Sequence, residues 1–198
     1  MTRAGAALDL FSGPVQGPDG LQYVPEFLDR DEERALLDVI ATLPLAAAKY
    51  KAYTARRRTL SYGASYDFDE NELQPAAPVP AFLHPLRERV AAHVGHAAAA
   101  FEHVLITEYR PGTQLGWHRD VPDFETVVGI SLAGRCRMRF RPYPPEPRSP
   151  RAFALELAPR SLYVLAREMR WRWQHAVPPT PELRYSITLR TRSERRRR

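Results

Sequence analysis

From residue 102 onward the chain is a succession of short segments rich in β-forming residues, most of them separated by Pro or Gly. The segments expected to form strands are residues 102–109, 126–132, 135–141, 152–157, 161–165, 169–173 and 184–191. The chain contains 19 prolines in 198 residues, roughly twice the usual share, and proline interrupts helices. This part of the chain is therefore expected to form a β-sandwich or a jelly roll.

Two helices are expected ahead of these strands, which makes the fold class α+β. The first helix begins at a capping aspartate, Asp29 or Asp31, and ends before Pro44. The second covers residues 80–94, where Pro85 is expected to kink the helix or to delay its start.

A chain of this length can bury a core as one domain without disulfides. The domain is expected at residues 21–192, after a flexible leader of residues 1–20 and before a basic tail of residues 193–198. The single cysteine, Cys136, excludes an internal disulfide and suits a reducing compartment. The sequence shows neither a long apolar run nor a secretory signal pattern, so a cytoplasmic location without membrane attachment is expected.

The positive charge of the chain is compatible with a polyanionic partner. The formal net charge is +6 and the isoelectric point is near 9.8, which fits binding to nucleic acid. Alternatively, the charge reflects a composition rich in Ala, Arg and Pro, because residues 195–198 alone supply four arginines. Charge alone does not decide between these interpretations.

His118 and Asp120 are the first candidate ligands for a metal ion. Residues two apart on a strand point to the same side, so the two side chains could bind one ion together. With a distant second histidine they would form the facial triad of non-haem Fe(II) oxygenases. The pair is weak evidence alone, because a chain with 6 histidines and 23 acidic residues contains roughly 0.7 such pairs by chance.

His175 is the only histidine after Asp120. Alternation along the segment before it is expected to bury Trp171, Trp173 and His175 and to leave Arg170, Arg172 and Gln174 outside. His175 is therefore either a core histidine with satisfied ring nitrogens or the third metal ligand.

The segment 184–190 has one polar and one apolar face. In a strand, Arg184, Ser186, Thr188 and Arg190 lie on one side, opposite the apolar face of alternate residues. Two guanidinium groups directed into a barrel require anionic partners, and a dicarboxylate is a natural one. The alternative is an edge strand with a solvated polar face.

Taken together, these motifs resemble the AlkB-like family of Fe(II)/2-oxoglutarate-dependent dioxygenases. The family pattern is His-x-Asp, a distal His and then Arg-x-Asn-x-Thr-x-Arg, which matches His118, Asp120, His175 and residues 184–190. The segment 107–112 is similar to the strand and turn that precede the metal motif. Two positions depart from the family pattern: Ser186 stands where the motif has Asn, and Thr107 stands where several members have Asn, and both are still hydrogen-bonding residues.

The resemblance implies a double-stranded β-helix (jelly-roll) core with the N-terminal helices packed on one sheet. It implies Fe(II) held by His118, Asp120 and His175, and 2-oxoglutarate secured by Tyr109, Arg184, Ser186 and Arg190, with dioxygen as the oxidant. Which arginine binds which carboxylate stays open. The implied reaction is oxidative demethylation of N-alkylated nucleobases in DNA or RNA, with release of formaldehyde, succinate and CO2, by a monomeric enzyme.

Residues 49–68 resemble the nucleotide-recognition lid of that family, although the match is loose. Aromatic and basic side chains alternate irregularly there, and Arg57, Arg58, Tyr62 and Tyr66 are candidate contacts to a flipped or single-stranded base. The alternative is a surface loop whose tyrosines cover the barrel. Two other functions remain open: a dioxygenase acting on a tRNA nucleoside, protein or small molecule, and a noncatalytic nucleic-acid-binding jelly roll.

Two further groups of residues are given structural interpretations. Arg135, Arg137, Arg139 and Arg141 alternate with apolar residues and are interpreted as a solvated outer face, with contact to phosphates as the alternative. His84, His93, His96 and His103 are expected to lie outside the strands around the iron and receive no role.

Overall fold

The computed structural model describes residues 17–50, 53–67, 69–146 and 150–194. Most of the expected leader and residues 195–198 of the basic tail lie outside these ranges, as do Lys51 and Phe68 of the lid. The side chains of residues 49, 50 and 53–55 also lie outside the description.

Helices and strands follow one another with short connections. In chain order they are β1 (Leu21–Val24), α1 (Arg30–Ile40), β2 (Ala46–Tyr50), β3 (Tyr53–Tyr62), β4 (Ala64–Asp67), β5 (Glu72–Pro75), α2 (His84–Val94), β6 (His103–Tyr109), β7 (Leu115–His118), β8 (Phe124–Ala133), β9 (Cys136–Pro142), β10 (Phe153–Leu157), β11 (Leu162–Leu165), α3 (Arg167–Arg172), β12 (Trp173–Val177) and β13 (Arg184–Arg192). Single 3-10 turns cover Ala81–Leu83 and Ala98–Ala100. None of the helices in the described ranges has the length and apolar character that crossing a membrane requires.

The strands form two main antiparallel sheets. The larger sheet has the order β1-β11-β8-β13-β6-β3-β2, and the smaller has the order β10-β9-β12-β7. A hairpin of β4 and β5 is separate. Strands that are neighbours in a sheet are often distant in the chain, as in a jelly roll. The expected α+β class with a jelly-roll core is confirmed.

Two apolar clusters bury the faces of the larger sheet. One cluster lies between the sheets and joins Val127 of β8 and Leu165 of β11 to Phe140 of β9 and Trp173 of β12. The other lies on the opposite face, where α1 and α2 pack against alternate residues of β6, β8 and β13. The expectation that the N-terminal helices pack on one sheet is therefore confirmed.

The two predicted helices form close to their expected bounds. Asp29 caps α1 by accepting hydrogen bonds from the backbone N–H groups of Asp31 and Glu32, and the Glu32 carboxylate accepts from the N–H of Asp29. Pro85 lies in the first turn of α2, where its missing N–H costs no helical hydrogen bond. It delays the helix and does not kink it.

The strand expected at residues 169–173 is wrong. Residues 167–172 form the short helix α3, and β12 begins only at Trp173. Arg170, which was expected outside, is buried, whereas Arg172 is exposed and Trp171 is half-buried. The alternation of Met, Arg and Trp imitates a strand, but Arg170 is buried and contacts residues 120–124.

The arginines of β9 occupy the outer face of the smaller sheet, as expected. Arg135, Arg137 and Arg139 are exposed and Arg141 is half-buried, while the residues between them are buried. The lid region, whose sequence showed no regular pattern, contains β3 and β4 in the described residues.

Candidate active site

Three ligand groups for a metal ion meet where β7 and β12 pair. His118, the last residue of β7, lies opposite His175 of β12, and their ring centroids are 4.2 Å apart. Asp120 completes the group, and the candidate ligand atoms of the three side chains lie within 4.8 Å of one another. Two imidazoles and one carboxylate in this proximity form the donor set of a facial triad.

The geometry differs in one respect from the strand argument. Strand β7 ends at His118, so Asp120 lies in the following loop and alternation does not place it. The buried guanidinium of Arg170 holds this loop instead. Its Nη2 donates hydrogen bonds to the carbonyl oxygens of Asp120 (3.1 Å), Val121 (2.7 Å) and Phe124 (2.9 Å). Arg170 of α3, the helix that directly precedes the His175 strand β12, thus fixes the loop that carries Asp120.

Both histidines are held in the neutral form that binds metal ions. Burial, reinforced by the neighbouring His118, lowers the pKa of His175 to about 3. Burial also lowers the pKa of His118. The Nδ1 of His118 lies 2.9 Å from the carbonyl oxygen of Gly116. A proton on Nδ1, donated to that oxygen, leaves Nε2 as the free ligand atom.

Arg190 keeps Asp120 ionised. Its Nε and Nη2 each lie 2.8 Å from Oδ1 of Asp120, and the carboxylate is almost completely buried. Burial alone would raise the pKa of this carboxyl, but the guanidinium groups of Arg190 and Arg170 lower it well below its usual range. The Nη1 of Arg190 lies 3.2 Å from Nδ1 of His103. The Arg190 guanidinium therefore already contacts both Asp120 and His103.

A cavity of about 390 Å³ lies beside the three ligand groups. Alternate residues of three neighbouring strands face it: Arg184, Ser186, Thr188 and Arg190 of β13, His103, Leu105, Thr107 and Tyr109 of β6, and Arg57, Thr59 and Ser61 of β3. The polar face expected for residues 184–190 is thus directed into the cavity, and it is not a solvated edge, because β13 lies between β8 and β6.

Arg184 has an unsatisfied donor in this cavity. Its side chain is 1% exposed, its Nε donates to Oγ of Ser131 at 3.0 Å, and its guanidinium lies 5.1 Å from the centre of the Tyr109 ring. The buried Nη2 has no hydrogen-bond partner among the described residues. A buried, charged donor without a partner is costly, and a carboxylate oxygen in the cavity would satisfy it. The residues present therefore fit a dicarboxylate cosubstrate next to a metal ion.

The four candidate substrate contacts separate into two pairs. Arg57 and Tyr66 line the cavity. Arg58 lies on the other face of β3, where it donates to the carbonyl oxygen of Leu45 and pairs with Glu108 at 3.2 Å. Tyr62 is buried in the cluster beneath the helices. Alternation explains the separation, because residues 57 and 58 must point to opposite sides of one strand.

Sequence reasoning missed two residues of the site. His103 was placed outside the strands around the iron, which is wrong: it lies on β6 and lines the cavity beside Arg190. Its position six residues before Tyr109 on one strand was a usable signal, because an even spacing means the same face. No comparable signal pointed to Arg170, because residues 169–173 were interpreted as a strand with Arg170 on its outer face.

Comparisons with known proteins agree with this arrangement. The family model described as "2OG-Fe(II) oxygenase superfamily" matches residues 20–196. The "Alkylated DNA repair protein ALKBH8 homolog" of Arabidopsis thaliana is 28% identical over 181 residues, which cover 80% of this chain and 51% of that protein. The "Probable RNA/DNA demethylase ALKBH6" of Danio rerio is 26% identical over 173 residues, which cover 82% and 70%.

Other similarities extend the comparison to longer proteins and to a solved fold. The "tRNA (carboxymethyluridine(34)-5-O)-methyltransferase ALKBH8" of Mus musculus is 25% identical over 170 residues, which cover 82% of this chain and 24% of that protein. The chain thus spans about half the length of the Arabidopsis relative and about a quarter of the mouse relative. A solved structure of OsALKBH1 superimposes with a TM-score of 0.68 at 12% identity, over 87% of this chain and 96% of that one. This similarity shows the fold alone.

Proposed function

The chain belongs to the 2OG-Fe(II) oxygenase superfamily, and from that premise we propose that it demethylates N-alkylated nucleobases in DNA or RNA. The membership and the AlkB-like relatives confirm the resemblance found in the sequence. They also confirm the expected cofactors of the family, which are Fe(II), 2-oxoglutarate and dioxygen. One observation carries the proposal: the three metal ligands and the unsatisfied guanidinium of Arg184 face the same cavity.

We assign the metal to His118, Asp120 and His175, and the cosubstrate to Tyr109, Arg184, Ser186 and Arg190. Bound Fe(II) and 2-oxoglutarate would supply hydroxylation of a substrate methyl group by dioxygen, with succinate and CO2 as coproducts. Hydroxylation of a methyl group on nitrogen gives an unstable product that releases formaldehyde and restores the base.

The two arginines of β13 have different parts in this scheme. Arg184, with its unsatisfied Nη2, would hold the distal carboxylate of 2-oxoglutarate. Arg190 orients Asp120 and keeps it ionised, so it supports the metal ligand first. Tyr109 is buried and burial raises its pKa, so its hydroxyl stays protonated and able to donate a hydrogen bond.

The nucleic-acid substrate is supported by the cavity rim and by charge. Arg57 and Tyr66 lie at the lid side of the cavity, where a base could stack and a phosphate could be held. The formal net charge of +6 favours a polyanion. The names of the Arabidopsis and Danio relatives refer to alkylated DNA repair and to RNA/DNA demethylation.

The test is a coupled measurement of succinate and formaldehyde. Protein purified without oxygen is mixed with Fe(II), 2-oxoglutarate, oxygen and oligonucleotides that contain 1-methyladenine or 3-methylcytosine. We expect both products in a methylated-base-dependent manner, and neither from the His118→Ala variant. His84→Ala is the matched control, because His84 is an exposed histidine on α2. Persistence of succinate in His118→Ala would refute the metal assignment, and succinate without formaldehyde would refute the substrate.

A tRNA nucleoside is the second candidate substrate, because the mouse relative is named as a tRNA-modifying enzyme. A protein or small-molecule substrate, or a noncatalytic role, has no comparable support. Stimulation of succinate formation by tRNA, with no stimulation by methylated oligonucleotides, would favour this second candidate. The expected cytoplasmic location, monomeric state and domain boundaries at residues 21 and 192 stay predictions.

A further inference from the structure

The outer face of the smaller sheet carries a row of arginines along β9. Arg139 and Arg141 project from this face, and Arg137 precedes them on the same strand. In the sheet, Arg139 lies between two small residues, Ala154 of β10 and Ala176 of β12. Neither residue directly opposite Arg139 on the neighbouring strands is therefore bulky.

The guanidinium groups of Arg139 and Arg141 both lie near the ring of Trp117 of β7. The guanidinium carbon of Arg141 lies 4.3 Å from the centre of the Trp117 ring, and that of Arg139 lies 5.4 Å from it. Gln174 accepts a hydrogen bond from Nε of Arg141 at 2.8 Å, which orients its charged end. We call Trp117, Arg139 and Arg141 the Trp117 surface.

The loop after β7 connects the Trp117 surface to the cavity. Trp117 points to the outer face of the sheet, opposite to His118, whereas Arg119 in the following loop lines the cavity. The guanidinium carbon of Arg119 lies 3.6 Å from the centre of the ring of Tyr143, just beyond the end of β9. Arg119 and Tyr143 thus form a second pair of arginine and aromatic side chains, and its arginine lines the cavity.

These charges are not neutralised by acidic side chains. Within the part of the chain that the structure describes, no ion pair involves Arg119, Arg139 or Arg141. Arg137, two residues from Arg139 on the same strand, pairs with Glu156 at 3.6 Å. Arg119, Arg139 and Arg141 are therefore available for an external anion, whereas Arg137 already has a carboxylate beside it.

We propose that the Trp117 surface binds the strand of a single-stranded nucleic acid that flanks the base in the cavity. This inference rests on the proposed nucleic-acid substrate. Arginines without acidic partners attract phosphates, and planar guanidinium and indole groups provide platforms on which a flanking base stacks. An acidic peptide would use the charges but not the aromatic platforms.

The test measures binding of an unmodified, fluorescently labelled oligothymidylate to the full-length protein as a function of salt. We expect the double variant Arg139→Ala/Arg141→Ala to bind on the order of tenfold more weakly at low salt. Its salt slope should be smaller in magnitude by about 1.4, because each phosphate contact on a single strand contributes about 0.7. Arg137→Ala is the matched control and should bind like the parent protein.

Two further variants separate charge from stacking and from misfolding. Arg139→Lys/Arg141→Lys keeps both charges and should restore the salt slope. Trp117→Leu should weaken binding several-fold and leave the salt slope unchanged, because it removes stacking and no charge.

The outcomes are separable from those for the proposed function. The inference is overturned if the parent protein does not bind oligothymidylate, or if the double arginine variant binds it like the parent. An equal loss of binding to polyglutamate would overturn the assignment to nucleic acid. If methylated bases are not oxidised but the double variant shows the expected loss, the surface stands and the proposed reaction fails.

Discussion

The two sides of the cavity differ in how deeply their polar side chains are buried. On the β13 side, Arg184 is almost fully buried, and Arg190 contacts Asp120 and His103. On the lid side, Arg57 and Tyr66 are half-exposed. Buried side chains are arranged before a ligand arrives, whereas half-exposed side chains keep more freedom to adjust. The chemistry of the site is therefore set on one side, and the choice of substrate is expected to depend on the other.

Replacement of Arg184 should give the largest effect on ligand binding. Arg184→Met removes the unsatisfied donor, and we expect the dissociation constant of 2-oxoglutarate to rise at least about 30-fold, as for other buried charge pairs. The free energy of unfolding of the metal-free protein should not fall, because the variant no longer buries an incompletely paired guanidinium. Calorimetric titration with Mn(II) and 2-oxoglutarate, together with urea denaturation, measures both quantities.

Arg184→Lys is the comparison variant, because it keeps the charge but not the planar fork. It should bind 2-oxoglutarate with intermediate affinity. Unchanged affinity in Arg184→Met would show that the distal carboxylate lies elsewhere and would remove the distinction between Arg184 and Arg190.

Replacement of Arg170 tests whether the Asp120 loop is held from the β12 side. Arg170→Met removes a charged donor from three carbonyl oxygens, so we expect a loss of about 2–4 kcal/mol in the free energy of unfolding. Metal affinity should fall about tenfold or more, since Asp120 is no longer positioned. Urea denaturation and Co(II) titration measure the two effects. Arg172→Met, on the exposed side of the same helix, is the control and should change neither.

On strand β3, the adjacent residues Arg57 and Arg58 are expected to affect different quantities, KM and the free energy of unfolding. Arg57→Ala should raise the KM for a methylated oligonucleotide by roughly tenfold, because Arg57 lines the cavity where a phosphate could bind. Arg58→Ala should instead lower the free energy of unfolding by about 1–2 kcal/mol, because Glu108 and the carbonyl of Leu45 lose a donor. Steady-state kinetics and urea denaturation of both variants decide. Equal effects on KM would contradict the division of β3 into two faces.

The contrast between the two sides also explains what the sequence could predict. Strand β13 was assigned correctly, because its polar residues, Arg184 to Arg190 in steps of two, alternate with strictly apolar ones. Strand β3 was not recognised, because both of its faces carry arginine. On the second face, Arg58 pairs with Glu108 of β6, 50 residues away, and donates to the carbonyl oxygen of Leu45. A local pattern cannot show such a pairing.

The candidate metal ligands show the same limit. His118 and His175, both put forward from the sequence, lie on paired strands, but Asp120 reaches the site by a loop that Arg170 fixes from 50 residues away. The strand argument that joined Asp120 to His118 is therefore incomplete. Segment 169–173 was mistaken for a strand because its residues alternate like those of a strand, and nothing near Arg170 in the chain indicates its contacts with that distant loop.

The smallest expected effect concerns His103, which joins the fixed side of the cavity without being a ligand. Burial, with the nearby charge of Arg190, lowers the pKa of His103 to about 3 in the folded protein. In the unfolded chain the pKa is about 6.5, so the unfolded state binds one more proton between these values. The contribution of neutral His103 to stability is therefore complete above about pH 6.5 and is lost as the pH falls.

The His103→Gln variant isolates this contribution, because glutamine can accept a hydrogen bond from Arg190 but does not titrate. Between about pH 5.5 and pH 4, the unfolding free energy of the metal-free parent should fall more steeply than that of the variant, by about 1.4 kcal/mol per pH unit. Urea denaturation at a series of pH values measures the two slopes. Parallel slopes would show that His103 is protonated in the folded protein as readily as in the unfolded chain. The β13 side would then be less rigidly prearranged than its contacts indicate.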